Sequence, residues 1–399
     1  MIKMLKKTTV IGIAIIMLTV LSGCWDSVEL DDRAIVTAVG IDITENGELE
    51  VTAQVINTVQ VSTGPDQGQG GGGSSVVVHS ITGRTVFEAI RALTKMITKK
   101  LYWEQNRIIV FSEKAARQGI LPYVDFFMRD HEVRKRSWIL VTDGQASEII
   151  KAGSETANIP ANDILDILDA QSATSEAARE DLYHLAIKLV SDTSCPVATH
   201  IGTHTHAEDD GGTEMPGEKK ATILGTAAFR NDVFAGYLDN RESRGYHWIT
   251  GDIKSGIIVV KSPAGDDSDI SIEIRKASTN LRPQLENGVV SMKLSIETEA
   301  SVGDVGGELD LSSVDTYDQL ARSCEIAIAE EINACLAKAQ KEYGTDIFAF
   351  GELVHHYLPQ EWKKIKDIWL SELYQDVAVE LDITVNVIHS GLITKPIRK

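Results

Sequence analysis

Cysteine is scarce in this chain, with four in 399 residues: Cys24, Cys195, Cys324 and Cys335. The last two fall eleven positions apart in one predicted helix, about 16 Å at about 1.5 Å of rise per residue, too far to bond. Cys195 has no obvious mate, so a structural disulfide framework is excluded and the cores must hold unaided. Positive charge is also short. Lys and Arg total 39 against 58 Asp and Glu, for a formal net charge of −19. The sequence shows no basic stripe to displace phosphate counterions, which excludes nucleic acid as a partner.

Long apolar runs are missing too. The leader has a cationic start (Lys3, Lys6, Lys7) and an apolar stretch from Thr8 to Leu21. That stretch is shorter than the roughly 20 residues a membrane-spanning helix needs, and it reads as a secretory signal. It ends in Leu21-Ser22-Gly23-Cys24, a sequence that fits all four positions of a bacterial lipobox. Cleavage is expected between Gly23 and Cys24, with lipid attached to Cys24. Two or three acyl chains, at about 0.8 kcal/mol per buried methylene, hold a protein stably at a membrane face. The alternative, an ordinary secretory signal with a chance cysteine, leaves the agreement of position and flanks unexplained. Without the three leader lysines the formal charge becomes −22, so the body is expected to be repelled by anionic lipid instead of lying on it through a basic face, and to stand off on its tether.

Apolar content of 43% is ordinary for a globular chain, and the length beyond Cys24 suggests two or three cores. β-rich runs at 34–43 and 48–61 flank Asn46-Gly47, a tight-turn dipeptide, and the second leads into a Gly-, Gln- and Ser-rich loop at 63–75. A strand at 76–81, a helix at 85–97, a strand at 106–111, short helices within 115–128 and a strand at 137–141 complete an α+β domain, 24–152. A middle domain, 153–250, is expected from helical signals up to Asp192, a polar stretch from Thr193 to Lys220 and strands near 221–230 and 233–238. The last domain, 251–399, reads as extended segments at 256–260, 271–276, 289–300 and 377–388. The final segment alternates Val377, Val379, Leu381, Ile383, Val385 and Val387 with polar residues, a period of two that marks a half-buried sheet. A helix from about Tyr317 to Tyr343 carries Leu320, Cys324, Ile328, Ile332, Cys335 and Ala339 at steps of three or four residues, and this stripe is expected to cover the sheet. Asp315 and Asp318 suit its N-terminal end, Lys338 and Lys341 its C-terminal end, and Gly344 a left-handed cap.

The segments "GCWDSVELDDRAIVTAVGID", "KKLYWEQNRIIVFSE", "FFMRDHEVRKRSWILV", "RGYHWITGDIKSGIIVV" and "DIFAFGELVHHYLPQEWKKIKDIW" occur in this order. With them the chain resembles the Ger(x)C family, the lipoprotein C subunits of the germinant receptors of endospore-forming bacteria; the family's C-terminal signature spans about 221–393. The resemblance implies a non-enzymatic subunit on the outer face of the cell membrane, in the spore its inner membrane, beside the two integral-membrane A and B subunits. It implies three mixed α/β domains in an elongated arrangement, the last a curved, mostly antiparallel sheet packed by a long helix. No cofactor and no small-molecule substrate is implied for this subunit alone.

Other motifs read as structure. Gly68, Gly70 and Gly73 satisfy G-x-G-x-x-G, but a β-like run, not a helix, follows. His131-Glu132 opens like H-E-x-x-H, but position 135 is lysine. His200, His204 and His206, before Glu208, Asp209 and Asp210, have donors enough for a transition metal, yet closely spaced loop histidines are more often solvated and no metal site is assigned. Cys195 near His200 suggests a thiol nucleophile, but no oxyanion loop accompanies it. Trp248, Trp362 and Trp369 read as core packing, with a partner-binding face as the sharper alternative. The leading expectation is a tethered assembly subunit; the alternatives are a solute-capturing lipoprotein serving a transporter, and an envelope hydrolase.

Overall fold

The computed structural model describes residues 11–12, 33–56, 75–152, 159–205, 219–307 and 309–388. These form an elongated mixed α/β body built on two sheets, one of them packed by a long helix.

The first sheet starts with β1 (Arg33–Ile43), β2 (Leu49–Ile56) and β3 (Val76–Gly83), an antiparallel meander. Gly47, at φ 82°, supplies the positive backbone angle of the β1–β2 turn. Helix α1 (Val86–Leu93) is capped by the Thr85 side chain and leads to β4 (Lys100–Tyr102), a short strand parallel to the start of β1. β5 (Ile108–Ser112) also runs parallel to β1, further along it. Ile108, Ile109, Val110 and Phe111 are all fully buried, as a continuous apolar run in a strand covered on both faces requires. Helices α2 (Glu113–Arg117) and α3 (Leu121–Arg129) carry the chain back to β6 (Trp138–Thr142), again parallel. α4 (Ala146–Lys151) and α5 (Pro160–Ala170) cover one face of the sheet. α6 (Leu182–Leu189) joins α1, α2 and α3 on the other.

β7 (Val197–Thr205) pairs parallel to β6, and β8 (Lys219–Arg230) and β9 (Val233–Leu238) continue the sheet antiparallel. The expected middle domain, 153–250, therefore contributes three strands to the first sheet and is not resolved as a third discrete domain. The stretch taken as polar from Thr193 includes β7, in which Val197, Ala198 and Ile201 are core residues. Its apolar residues are too few to stand out in the sequence, but Thr199 satisfies its hydroxyl inside by donating to the Ala178 carbonyl at 2.7 Å.

α7 (Asn240–Thr250) opens with a reciprocal capping box between Asp239 and Glu242 and closes on Gly251 in the left-handed conformation. The second sheet has the order β10 (Ile257–Lys261), β11 (Asp269–Glu286), β12 (Val289–Val305), β13 (Val379–Ile388). Its first three strands are antiparallel, whereas β13 is parallel to β12, from Met292↔Val379 to Ser301↔Ile388. That arrangement needs a crossover, supplied by α8 (Val314–Leu336), a π-helical turn at Ala337–Tyr343 ending on left-handed Gly344, and the short helices α9 (Phe350–Tyr357) and α10 (Pro359–Ile365). Leu320, Cys324, Ile328, Ile332, Cys335 and Ala339 are each fully buried in the core of this unit. At about 1.5–3 kcal/mol for each buried aliphatic side chain, this stripe is a principal source of the unit's stability.

Candidate functional site

Where the first-sheet unit meets the second, a cleft of about 770 Å³ opens. Its floor is apolar: Ile249 of α7, Leu281 of β11, then Ile347, Phe348 and Leu353. Its rim is charged or titratable: Lys188 at the end of α6, Asp252 behind α7, and Glu352, His355 and His356 of α9. Such a lining suits an amphipathic ligand or a protruding segment of another chain.

Buried polar links fix the walls. Glu331 of α8 is 4% exposed, grips the Arg244 guanidinium through both oxygens and accepts the Trp248 indole N–H at 3.0 Å. A buried carboxylate is tolerated only when paired in this way. Arg244 also donates to the Ile257 carbonyl at 3.0 Å, so one side chain ties α7 to α8 and β10. Asp346 is fully buried and accepts from Phe350 N at 3.0 Å, Gly351 N at 2.8 Å and Trp369 Nε1 at 3.0 Å, while its carbonyl accepts from Cys195 N at 2.8 Å. Burial pushes its carboxyl pKa up to about 6, against the opposing pull of these donors. Lys188 is held by Glu180. These acids gave no signal in the sequence because their partners lie far away along the chain: Glu331 is 87 residues from Arg244.

Of the residues marked out by sequence, Gly23, Cys24 and His206 lie outside the described residues, as does the Gly-rich loop apart from Ser75. His200 is buried in β7 and stacked on Tyr237, ring centroids 3.7 Å apart. Burial lowers its pKa, and His204 is exposed further along the strand. Among the described residues no three His, Cys, Asp or Glu side chains gather to hold a metal. The Cys195 thiol is buried, and burial raises its pKa, which disfavours the thiolate a nucleophile needs. Glu132 pairs with Lys100 at 3.3 Å, and Lys135 donates to the Phe127 and Asp130 carbonyls, closing the end of α3. Trp248, Trp362 and Trp369 are 0%, 4% and 1% exposed, so the partner-face alternative fails for them. Trp362 and Trp369 meet edge to face at 5.7 Å, with a tight turn at Lys366–Ile368 between them and a wider one opening at Trp369.

Comparison with known proteins gives a consistent result. Residues 26–203 match the family model described as the spore germination protein N-terminal domain, and residues 224–391 match the spore germination B3/GerAC-like C-terminal domain. Spore germination protein KC of Bacillus subtilis (strain 168) is 26% identical over 99% of this chain and 98% of its own length. Spore germination protein A3 of the same organism is 24% identical, over 95% and 96%. A crystal structure of the GerBC protein superposes with a TM-score of 0.57 at 19% identity, covering 88% of this chain and 96% of that one, and so shares the fold.

Proposed function

This chain belongs to the GerAC-like family of spore germination proteins, and from that premise we propose that it is the lipid-anchored C subunit of a germinant receptor, needed for nutrient-triggered germination. The family assignment supports a non-enzymatic role. The observation that carries the anchoring is the position of the lipobox: the match to the family's N-terminal domain begins at residue 26, two positions after Cys24, as a body that starts at the cleavage point would. Among the described residues no helix is long and apolar enough to cross a membrane, and acylation of Cys24 supplies the attachment instead. The anchor confines the body near the integral-membrane A and B subunits on the outer face of the spore's inner membrane. It thereby raises the local concentration so that modest interfaces suffice for assembly.

The test is Cys24→Ala in sporulating cells. The expected result is loss of the protein from the membrane fraction and slowed nutrient-triggered germination; unchanged membrane retention overturns the proposal. The cleft favours a second reading, a solute-binding lipoprotein that delivers a ligand to a transporter, because its volume lies in the range of small-molecule sites. Calorimetric titration of the isolated chain with nutrients tests it. The unlike sheets on either side of the cleft argue against the paired lobes such a protein would use.

A further inference from the structure

The formal charge of −19 conceals a local reversal. Strands β1, β4, β5 and β6 are parallel neighbours, so their first residues lie along one edge of the sheet. Arg33 begins β1 opposite Lys100 at the start of β4, Arg107 immediately precedes β5, and Arg134 and Arg136 stand in the turn entering β6. Lys95 lies in the turn that feeds β4. Ser137 Oγ donates to the Asn106 carbonyl at 2.7 Å and the Arg134 carbonyl at 2.8 Å, and Trp138 N donates to the Arg107 carbonyl at 2.8 Å. The β5 and β6 entry turns are therefore bound together, and their arginines form one surface.

All six cations except Arg33 are exposed; Arg33 lies over the Tyr102 ring at 4.4 Å. The acids on this edge are largely engaged. Glu104 accepts the Tyr102 hydroxyl, Glu132 pairs with Lys100, and Asp130 accepts the Glu132 amide at 2.8 Å. Lys95, Arg107, Arg134 and Arg136 have no ion-pair partner among the described residues. Met96, 53% exposed, projects beside Lys95 as an apolar point.

We propose that this edge is a membrane-facing surface whose arginines bind the phosphates of anionic lipid headgroups. The position of the tether selects the occupant. Eight residues lie between Cys24 and Arg33, nine steps and at most about 32 Å of extended chain, so an acylated Cys24 holds this edge within that distance of the bilayer. Guanidinium groups match phosphate oxygens in bidentate fashion, and an exposed methionine among cations suits the headgroup boundary. The acyl chains on Cys24 hold the protein at the membrane but leave the body free to turn on its linker, and a cationic patch fixes its orientation. The competing anions are the linker's own Asp26, Glu29, Asp31 and Asp32. The nearness of the membrane rests on the anchoring reading above; the affinity for lipid belongs to the body itself.

The experiment uses the chain from residue 24 onward with Cys24→Ser, which cannot be acylated, in co-sedimentation with vesicles. Binding is expected to vesicles containing phosphatidylglycerol and not to pure phosphatidylcholine, and to vanish at high salt. Arg134→Gln with Arg136→Gln is expected to weaken partitioning by about fivefold per charge, more than tenfold together. Lys276→Gln, on the other sheet, leaves it unchanged, and circular dichroism verifies that each variant is folded. Equal binding to both vesicle types, or an absence of binding that Asp31→Asn with Asp32→Asn does not restore, overturns the proposal. Equally strong binding of inorganic phosphate without vesicles also overturns it, because the edge is then an anion site and not a bilayer surface. Mass analysis of Cys24 in the natural chain tests the anchor separately, so failure of one reading is distinguishable from failure of the other.

Discussion

Gly245 of α7 faces the backbone of α8 so closely that a β-carbon there would lie 2.2 Å from the Glu331 carbonyl oxygen. The helices cross with no side chain between them at this point, and that closeness lets Arg244 and Trp248, on either side of the glycine, both reach the Glu331 carboxylate.

Gly245→Ala forces the backbones apart. It is expected to destabilise the protein by about 1–3 kcal/mol, through overpacking at a contact with no flexible neighbour to yield. Urea unfolding checks it: a midpoint within error of the parent would show that the helices separate without cost.

Trp248→Phe removes one of the donors that satisfy Glu331 and leaves a buried carboxylate oxygen short of a partner. A loss of about 1–3 kcal/mol is expected from the same measurement. Retained stability would mean that Arg244 alone compensates.

The two sheets and the long helix were largely legible from local pattern. The alternation of β13, the stripe from Leu320 to Ala339 and the Gly344 cap are all set by neighbours within a few residues, where periodicity and backbone preference act directly. The joining of β7, β8 and β9 to the first sheet was not legible, because strand order depends on pairing between distant segments that carry no mutual label. The cleft and its supporting acids were hidden for the same reason. Glu331 and Asp346 look like ordinary surface acids until the fold brings an arginine, two indoles and a helix start to them. The cationic edge escaped notice because its members are scattered from Arg33 to Arg136 and are gathered only by parallel pairing.

Asp346 gives a pH dependence with a definite sign. Its carboxyl binds a proton more tightly in the folded chain, near pH 6, than unfolded, near 3.8. The associated stability is fully present below pH 4 and is lost as pH rises through 6, by about 3 kcal/mol. Asp346→Asn cannot titrate. The stability of the parent relative to this variant is therefore expected to fall between pH 4 and pH 6.5 and then level off; a flat difference would show that the hydrogen bonds from Phe350, Gly351 and Trp369 fully offset burial.

Cys195, Cys324 and Cys335 are buried, and burial raises each thiol pKa, that of Cys324 to about 12. Maleimide at neutral pH is expected to leave all three unlabelled in the folded chain and to modify them at the rate of unfolding. Rapid labelling of Cys195 would mean that the segment held by the Asp346 carbonyl opens locally.

The parallel pairing of β13 with β12 also governs the order in which the molecule can be made. The strand that completes the second sheet is synthesised some ninety positions after the residues beside which it inserts. Until it arrives, one margin of β12 stands open and the stripe of α8 covers a sheet missing a strand. A chain cut short before Val379 would leave that margin of β12 unpaired and present a strand edge to other chains.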